Sequence, residues 1–165
     1  MTLTATASLN ERLLRLESEA AVRRVVADYM ALCDVPGPQD LGEALAQLFC
    51  SDAVWEGKGS RYAAKFGRLE GRAAIVGMLL KYLPPNSHFR FNGHFLAGER
   101  IDVHGDTADG YWLMQQLSHY DTAAGELIVA RLQLQFRREA AAWRIARFST
   151  ERLHASPLPA TQAVQ

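Results

Sequence analysis

Residues 87–112 read SHFRFNGHFLAGERIDVHGDTADGYW, and the periodicity of this stretch decides the fold class. Ahead of it, apolar residues recur every three or four positions; within it they alternate. Phe89, Phe91, Gly93, Phe95 and Ala97 fall on one face, and His88, Arg90, Asn92, His94 and Leu96 on the other, which is the two-residue period of a strand. Gly98 marks a bend or bulge. Ile101 and Val103 then lead to Gly105-Asp106, where the chain turns into a second strand. His94 is the ionisable oddity in the middle of this aromatic-rich strand.

Downstream, strands are expected over 107–119, 126–138 and 143–152, joined by DTAAG (121–125) and EAAA (139–142). In the middle one, Ile128, Ala130, Leu132, Leu134 and Phe136 make an apolar face opposite Arg131, Gln133 and Gln135.

Upstream, the pattern is helical. Val22, Val25, Tyr29, Leu32 and Cys33 form one stripe of a helix over 9–33, with Arg23, Arg24 and Asp28 opposite. Asp34-Val-Pro-Gly-Pro stops it. Asp40 suits the cap of a second helix, with Glu43 placed for a reciprocal bond; Leu41, Leu45, Leu48 and Phe49 form its stripe. A short strand is expected over 53–56 and a long loop over 57–71, with a short strand possible near 62–66. Arg61, Lys65 and Arg68 in that loop read as a solvated face, with a rim that attracts an acidic substrate as the functional alternative. A third helix covers 72–83 and ends at Pro84-Pro85.

Three N-terminal helices followed by antiparallel strands indicate an α+β domain. A strongly curved antiparallel sheet wrapped round those helices makes a cone with an open mouth, and Tyr29 faces into it. The expected organisation is a flexible N-terminus (1–8), a single domain (9–153) and a tail (154–165). The tail holds Pro157 and Pro159 and is expected to be disordered or packed on a neighbouring subunit.

At 165 residues the chain can bury a core and enclose a pocket. Lys+Arg and Asp+Glu balance at 18 each, so bulk charge gives no reason to expect nucleic acid as a partner. No apolar run approaches the roughly 20 residues that span a bilayer, and MTLTATASLNERLL lacks a signal-peptide core, so no membrane is expected. Cys33 and Cys50 have no zinc-like spacing. They read as reduced core thiols of a cytoplasmic protein.

The order of elements, LFCSDAVWE (48–56), the Gly71-centred entry to the third helix and IDVHGDTADGYW resemble the NTF2-like superfamily, in its SnoaL-like branch. The resemblance covers about residues 13–152 and implies the cone. HFLAGER (94–100) is similar to the segment that carries the catalytic histidine in scytalone dehydratases, and the histidine of the hexachlorocyclohexane dehydrochlorinases lies at a similar distance before its hairpin. YMALCD (29–34) resembles the tyrosine and aspartate at the end of the first helix in bile-acid 7α-dehydratases.

The resemblance implies catalytic roles for His94, Asp34 and Tyr29, with no metal and no cofactor. His119 lies at the distance of a second histidine of the scytalone dehydratases, but aligning it requires a one-residue shift in the intervening strand. Arg147 is a candidate for a basic residue on the last strand, with Arg144 and Arg152 competing. Trp55, Glu56 and Trp112 complete the candidate substrate-binding residues. Gly57 stands where ketosteroid isomerases carry an aspartate, which counts against that mechanism.

A neutral imidazole accepts a proton near pH 7, a carboxylate on its other nitrogen sets the tautomer, and a buried phenol donates to a developing negative oxygen. Together they suit proton abstraction followed by loss of a leaving group from a small hydrophobic cyclic substrate. The expected function is a dehydratase-like or dehydrochlorinase-like lyase. A SnoaL-like polyketide cyclase or isomerase, and a non-catalytic ligand-binding protein or dioxygenase β-subunit-like scaffold, are the alternatives. A homo-oligomer, dimer or trimer, is implied by the same resemblance. Each residue also has a plainer role: Asp34 as turn chemistry, His94 and Tyr29 as core.

Overall fold

The computed structural model describes residues 8–159. The first helix, α1, spans Leu9–Cys33. Ser8 opens it: its hydroxyl accepts from the Glu11 amide at 3.3 Å, and the Glu11 carboxylate accepts from the Ser8 amide at 2.6 Å. Two N–H groups without helical partners are thereby satisfied. Ser8 thus caps the helix rather than belonging to a frayed terminus, while residues 1–7 lie outside the described residues. Val22, Val25, Val26, Tyr29, Met30 and Cys33 are the apolar side chains that α1 buries.

The second helix, α2 (Gly42–Leu48), starts at Leu41 without a side-chain cap. Asp40, expected to cap it, takes a left-handed φ of 60° and does not. Strand β1 runs over Phe49–Lys58, well beyond the expected 53–56.

The stretch 57–71 differs most from expectation. It holds a helix, α3 (Gly59–Phe66), and a short strand, β2 (Arg68–Glu70). Two tertiary contacts account for the helix. Phe66 sets its ring edge-on against Trp55 at 5.2 Å, and α3 folds so closely over β1 that a Cβ at Gly57 would stand 2.2 Å from the Tyr62 carbonyl oxygen. The next helix, α4 (Arg72–Leu79), ends before the expected 83. The cone therefore holds one helix more than the three read from periodicity.

Four long strands follow: β3 (Phe89–His104), β4 (Thr107–Tyr120), β5 (Gly125–Glu139) and β6 (Ala142–Leu158). The sheet order is β2-β1-β6-β5-β4-β3, antiparallel except where β1 runs parallel to β6. Register shifts that place extra residues in β3 and β6 supply the bends that curl it. One lies between Ala97 and Arg100, where Gly98 takes a φ of 63°. Trp112, Leu132, Phe136 and Ile145 pack the closed end together with Val22 and Val26.

Residues 154–158 were expected in a disordered or intermolecular tail. They instead extend β6, with His154 opposite Val129 and Leu158 opposite Gly125. Pro157 is tolerated there because β1 pairs with β6 only as far as Glu151, leaving that side of the strand free of a ladder. Residues 160–165 lie outside the described residues. On β3, Phe91 and Phe95 point outward, 38% and 55% exposed, while Asn92 is buried and His94 half-buried; a register shift between Phe89 and Phe91 separates Phe89 from that face and turns it inward.

Burial pushes the Cys33 thiol up to about 12 and the Cys50 thiol up to about 11. Raised values leave both protonated at pH 8, and the thiol is a poor nucleophile. We expect neither to react with an aromatic disulfide reagent at pH 8 in the native protein, and both to react after denaturation. Fast labelling of the folded chain would contradict this account of the core.

Candidate active site

The site is built where the end of α1 meets β3. As α1 stops at Cys33, the chain turns extended, and Val35 exchanges two backbone bonds of 2.8 Å with Asn92. This single bridge sets Asp34 beside His94, sixty residues away. Asp34 Oδ1 accepts from the His94 amide at 3.0 Å and lies 2.8 Å from His94 Nδ1. A carboxylate only accepts, so Nδ1 carries a proton, and in the neutral ring Nε2 is the nitrogen left to accept. The His94 side chain is 9% exposed and that of Asp34 38%.

Asn92 anchors the junction from behind. It is buried. Its Oδ1 accepts from Gln116 Nε2 and Ser118 Oγ, both at 2.8 Å, and its Nδ2 reaches the Cys33 carbonyl at 3.4 Å. The last bond gives a partner to one carbonyl at the open end of α1.

His94 and Tyr29 line a cavity inside the cone that has two adjoining lobes, of about 170 Å³ and 110 Å³. Both lobes share Tyr29, Trp55, Tyr62, Phe66, His94 and Gln116. Tyr29 is held by ring contacts with Phe49 at 5.8 Å and Phe148 at 4.9 Å. Burial pushes its phenol well above the ordinary value, with Cys33 adding to the rise, so the group stays a donor. Trp55 stacks on Phe148, and among the described residues its buried Nε1 has no partner within normal hydrogen-bond geometry.

Of the candidate substrate-binding residues, Trp55 alone lines the cavity. His119 does not, because Gln116, Ser118 and Tyr120 take the inward face of β4 and strand alternation turns position 119 outward. Glu56 and Arg147 also lie outside, paired at 3.2 Å on the convex side. Burial raises Glu56, but bonds from Ser149 and Lys58 outweigh this and hold its carboxyl below the ordinary value. Arg147 lines a separate outer groove of about 320 Å³ with Lys58 and Arg100. Trp112 is core, its Nε1 donating to Glu99 at 3.2 Å. On the last strand it is Arg152, in phase with the inward Phe148 and Thr150, that faces the cavity.

Residues that sequence reasoning passed over line the mouth: Tyr62, Lys65, Tyr82, Tyr120 and Glu126. Tyr62, Lys65 and Phe66 come from α3, which was read as loop. Tyr120 and Glu126 flank a hairpin turn, and parity from Gln116 was the signal that could have found Tyr120. His88 and Asn92, which share the face of His94, line the mouth as well. Among the described residues, Cys50, Asp52 and Glu139 bring potential metal ligands together, but Arg137 already pairs with both carboxylates at 2.6 Å.

The family model of the SnoaL-like domain matches residues 14–149. Among solved structures, a hexachlorocyclohexane dehydrochlorinase (LinA) of type 2 is similar with a TM-score of 0.75 and 20% identity, over 93% of this chain and 97% of that one. A scytalone dehydratase-like protein from Novosphingobium aromaticivorans DSM 12444 has a TM-score of 0.72 and 18% identity, over 92% and 96%. An NTF2-like protein with a cystatin-like fold from Novosphingobium aromaticivorans has a TM-score of 0.70 and 25% identity, over 92% of each chain. Peroxidase 1 of Oryza sativa subsp. japonica is 33% identical over 82 residues, which are 50% of this chain; the chain spans only 24% of that relative's length.

Asn92→Leu removes the buried amide and leaves the Ser118 O–H without its acceptor. Leaving a buried polar group unsatisfied costs about 1–3 kcal/mol, and we expect a loss of that size in denaturant unfolding. An unchanged midpoint would show that the junction does not depend on this side chain.

Proposed function

The chain belongs to the SnoaL-like domain family, and from that premise we propose that it is a lyase of the dehydratase or dehydrochlorinase kind, acting without a cofactor. The observation that carries the reading is the 2.8 Å contact between His94 Nδ1 and Asp34 Oδ1 beside an aromatic cavity.

In the proposed reaction a ring carbon of a small hydrophobic cyclic substrate lies against Nε2 of His94. The imidazole takes a proton from that carbon, the C–H electron pair becomes the new double bond, and the leaving group departs with its own pair. Asp34 stabilises the imidazolium that forms and keeps the ring in the required tautomer. Tyr29 donates to the substrate oxygen on which negative charge develops. The imidazolium then returns its proton to the departing hydroxide, releasing water.

The cavity favours an enzyme or ligand-binding protein over a β-subunit-like scaffold, which has no use for an open cone. A cyclase or isomerase would use the same proton abstraction without elimination. A homo-oligomer, dimer or trimer, belongs to this reading as well.

Purified protein should be assayed on cyclic β-hydroxy ketones and chlorinated cyclohexanes, in D₂O, following both loss of the leaving group and exchange at carbon. Elimination is the expected result; exchange without elimination would favour the isomerase or cyclase, and neither would favour binding alone. His94→Ala and Asp34→Asn are each expected to lower turnover by about 10²–10⁴-fold, the usual worth of a positioned general base. Their melting temperatures should stay near that of the parent. A large loss of stability with turnover retained would assign these residues structural roles instead.

A further inference from the structure

The mouth of the cavity is a second pole, chemically unlike the His94 end. It carries two cations, Lys65 and Arg152, against one carboxylate, Glu126. Asp34 does not line the cavity and is engaged by His94. Counting Lys65, Arg152 and Glu126, the mouth holds one excess positive charge.

Neither cation is fully engaged. Arg152 Nη2 stands 3.6 Å from Glu126 Oε2, an ion pair too long for a hydrogen bond, and its side chain is only 21% exposed. Among the described residues the guanidinium makes no hydrogen bond. Glu126 Oε1 is taken by the Tyr120 hydroxyl, so the carboxylate is divided between two neighbours. Lys65 lies over the Phe66 and Tyr82 rings at 4.9 and 5.3 Å, and no carboxylate among the described residues pairs with it. Ring faces hold its ammonium at the rim without neutralising it. A part-buried guanidinium whose planar fork lacks acceptors matches a carboxylate in shape and charge.

We infer that the mouth is a subsite for one carboxylate on the substrate, held by Arg152 and Lys65, while the ring to which it is attached extends toward His94. The substrate class is therefore a cyclic monocarboxylic acid. The inference rests on the proposal that this cavity is the substrate site. A monoanion suits the single excess charge; a dianion such as a phosphate ester would be repelled by Glu126. Lys65 comes from the basic stretch that reads in sequence as a solvated face, and it is the fold of α3 over β1 that carries it to the rim.

The test is equilibrium binding of 2-naphthoate and of its neutral counterpart 2-naphthamide to the full chain by calorimetry. The carboxylate should bind at least about tenfold more tightly, the scale of one charge-assisted hydrogen bond. Lys65→Met keeps an apolar stem over the two rings and should shrink that ratio severalfold. Arg152→Lys keeps the charge opposite Glu126 but loses the fork, and should weaken the carboxylate selectively. Equal affinity for the two probes, or a ratio unchanged in both variants, overturns the inference. Binding is read without turnover, so the lyase reading can fail with the preference intact, and the preference can fail with turnover intact.

Discussion

The site hangs on one short junction, the pair of backbone hydrogen bonds between Val35 and Asn92. Those bonds tie the end of α1 to the edge strand of the sheet. Without them Asp34 and His94 are a turn residue and a strand residue sixty positions apart. With them, one carboxylate oxygen meets both the amide and the ring nitrogen of His94. A buried asparagine is a sensible anchor here, because its amide can take bonds from two sheet side chains and give one to the last turn of α1. A satisfied polar network of this kind holds one arrangement against alternatives.

The second constraint is strand parity. Side chains alternate between the two faces of a strand, so once His94 points inward the opposed Gln116 does too, and His119 cannot. The same rule puts Arg152 inside with Phe148 and Thr150, and Arg147 outside with Glu56. It also turns Phe91 and Phe95 to the outer surface. The β3 strand is thus inverted relative to ordinary amphipathic logic, with its polar face toward the interior. A cavity that must hold ionisable groups accounts for this; a fully packed core would not.

Much of the framework was legible in the chain. The change of period near residue 88 separates helices from strands, and the Gly105-Asp106 turn and the Gly98 irregularity stand where the sequence puts them. The α3 helix was missed although Tyr62 and Phe66 stand four residues apart, because one aromatic pair in eight residues bounded by glycines is too short a stripe to decide against a loop, and contacts with Trp55 and β1 hold it as a helix. Residues 154–158 were misread for a related reason. Prolines argue against a strand in general, yet one side of β6 is free of a ladder there, and nothing local reports that.

By itself the sequence determined the α+β class, the hairpin, the strand on which His94 lies, and the end of the helix that carries Tyr29 and Asp34. All of these follow from local periodicity and backbone chemistry, which act over a few residues. Only the tertiary structure decided that Asp34 reaches His94, that Trp112, His119, Glu56 and Arg147 lie outside the cavity, and that Lys65 and Arg152 share its mouth. Those outcomes depend on register across a curved sheet, where a shift of one residue exchanges inside for outside. A linear pattern carries no information about which of the two is realised.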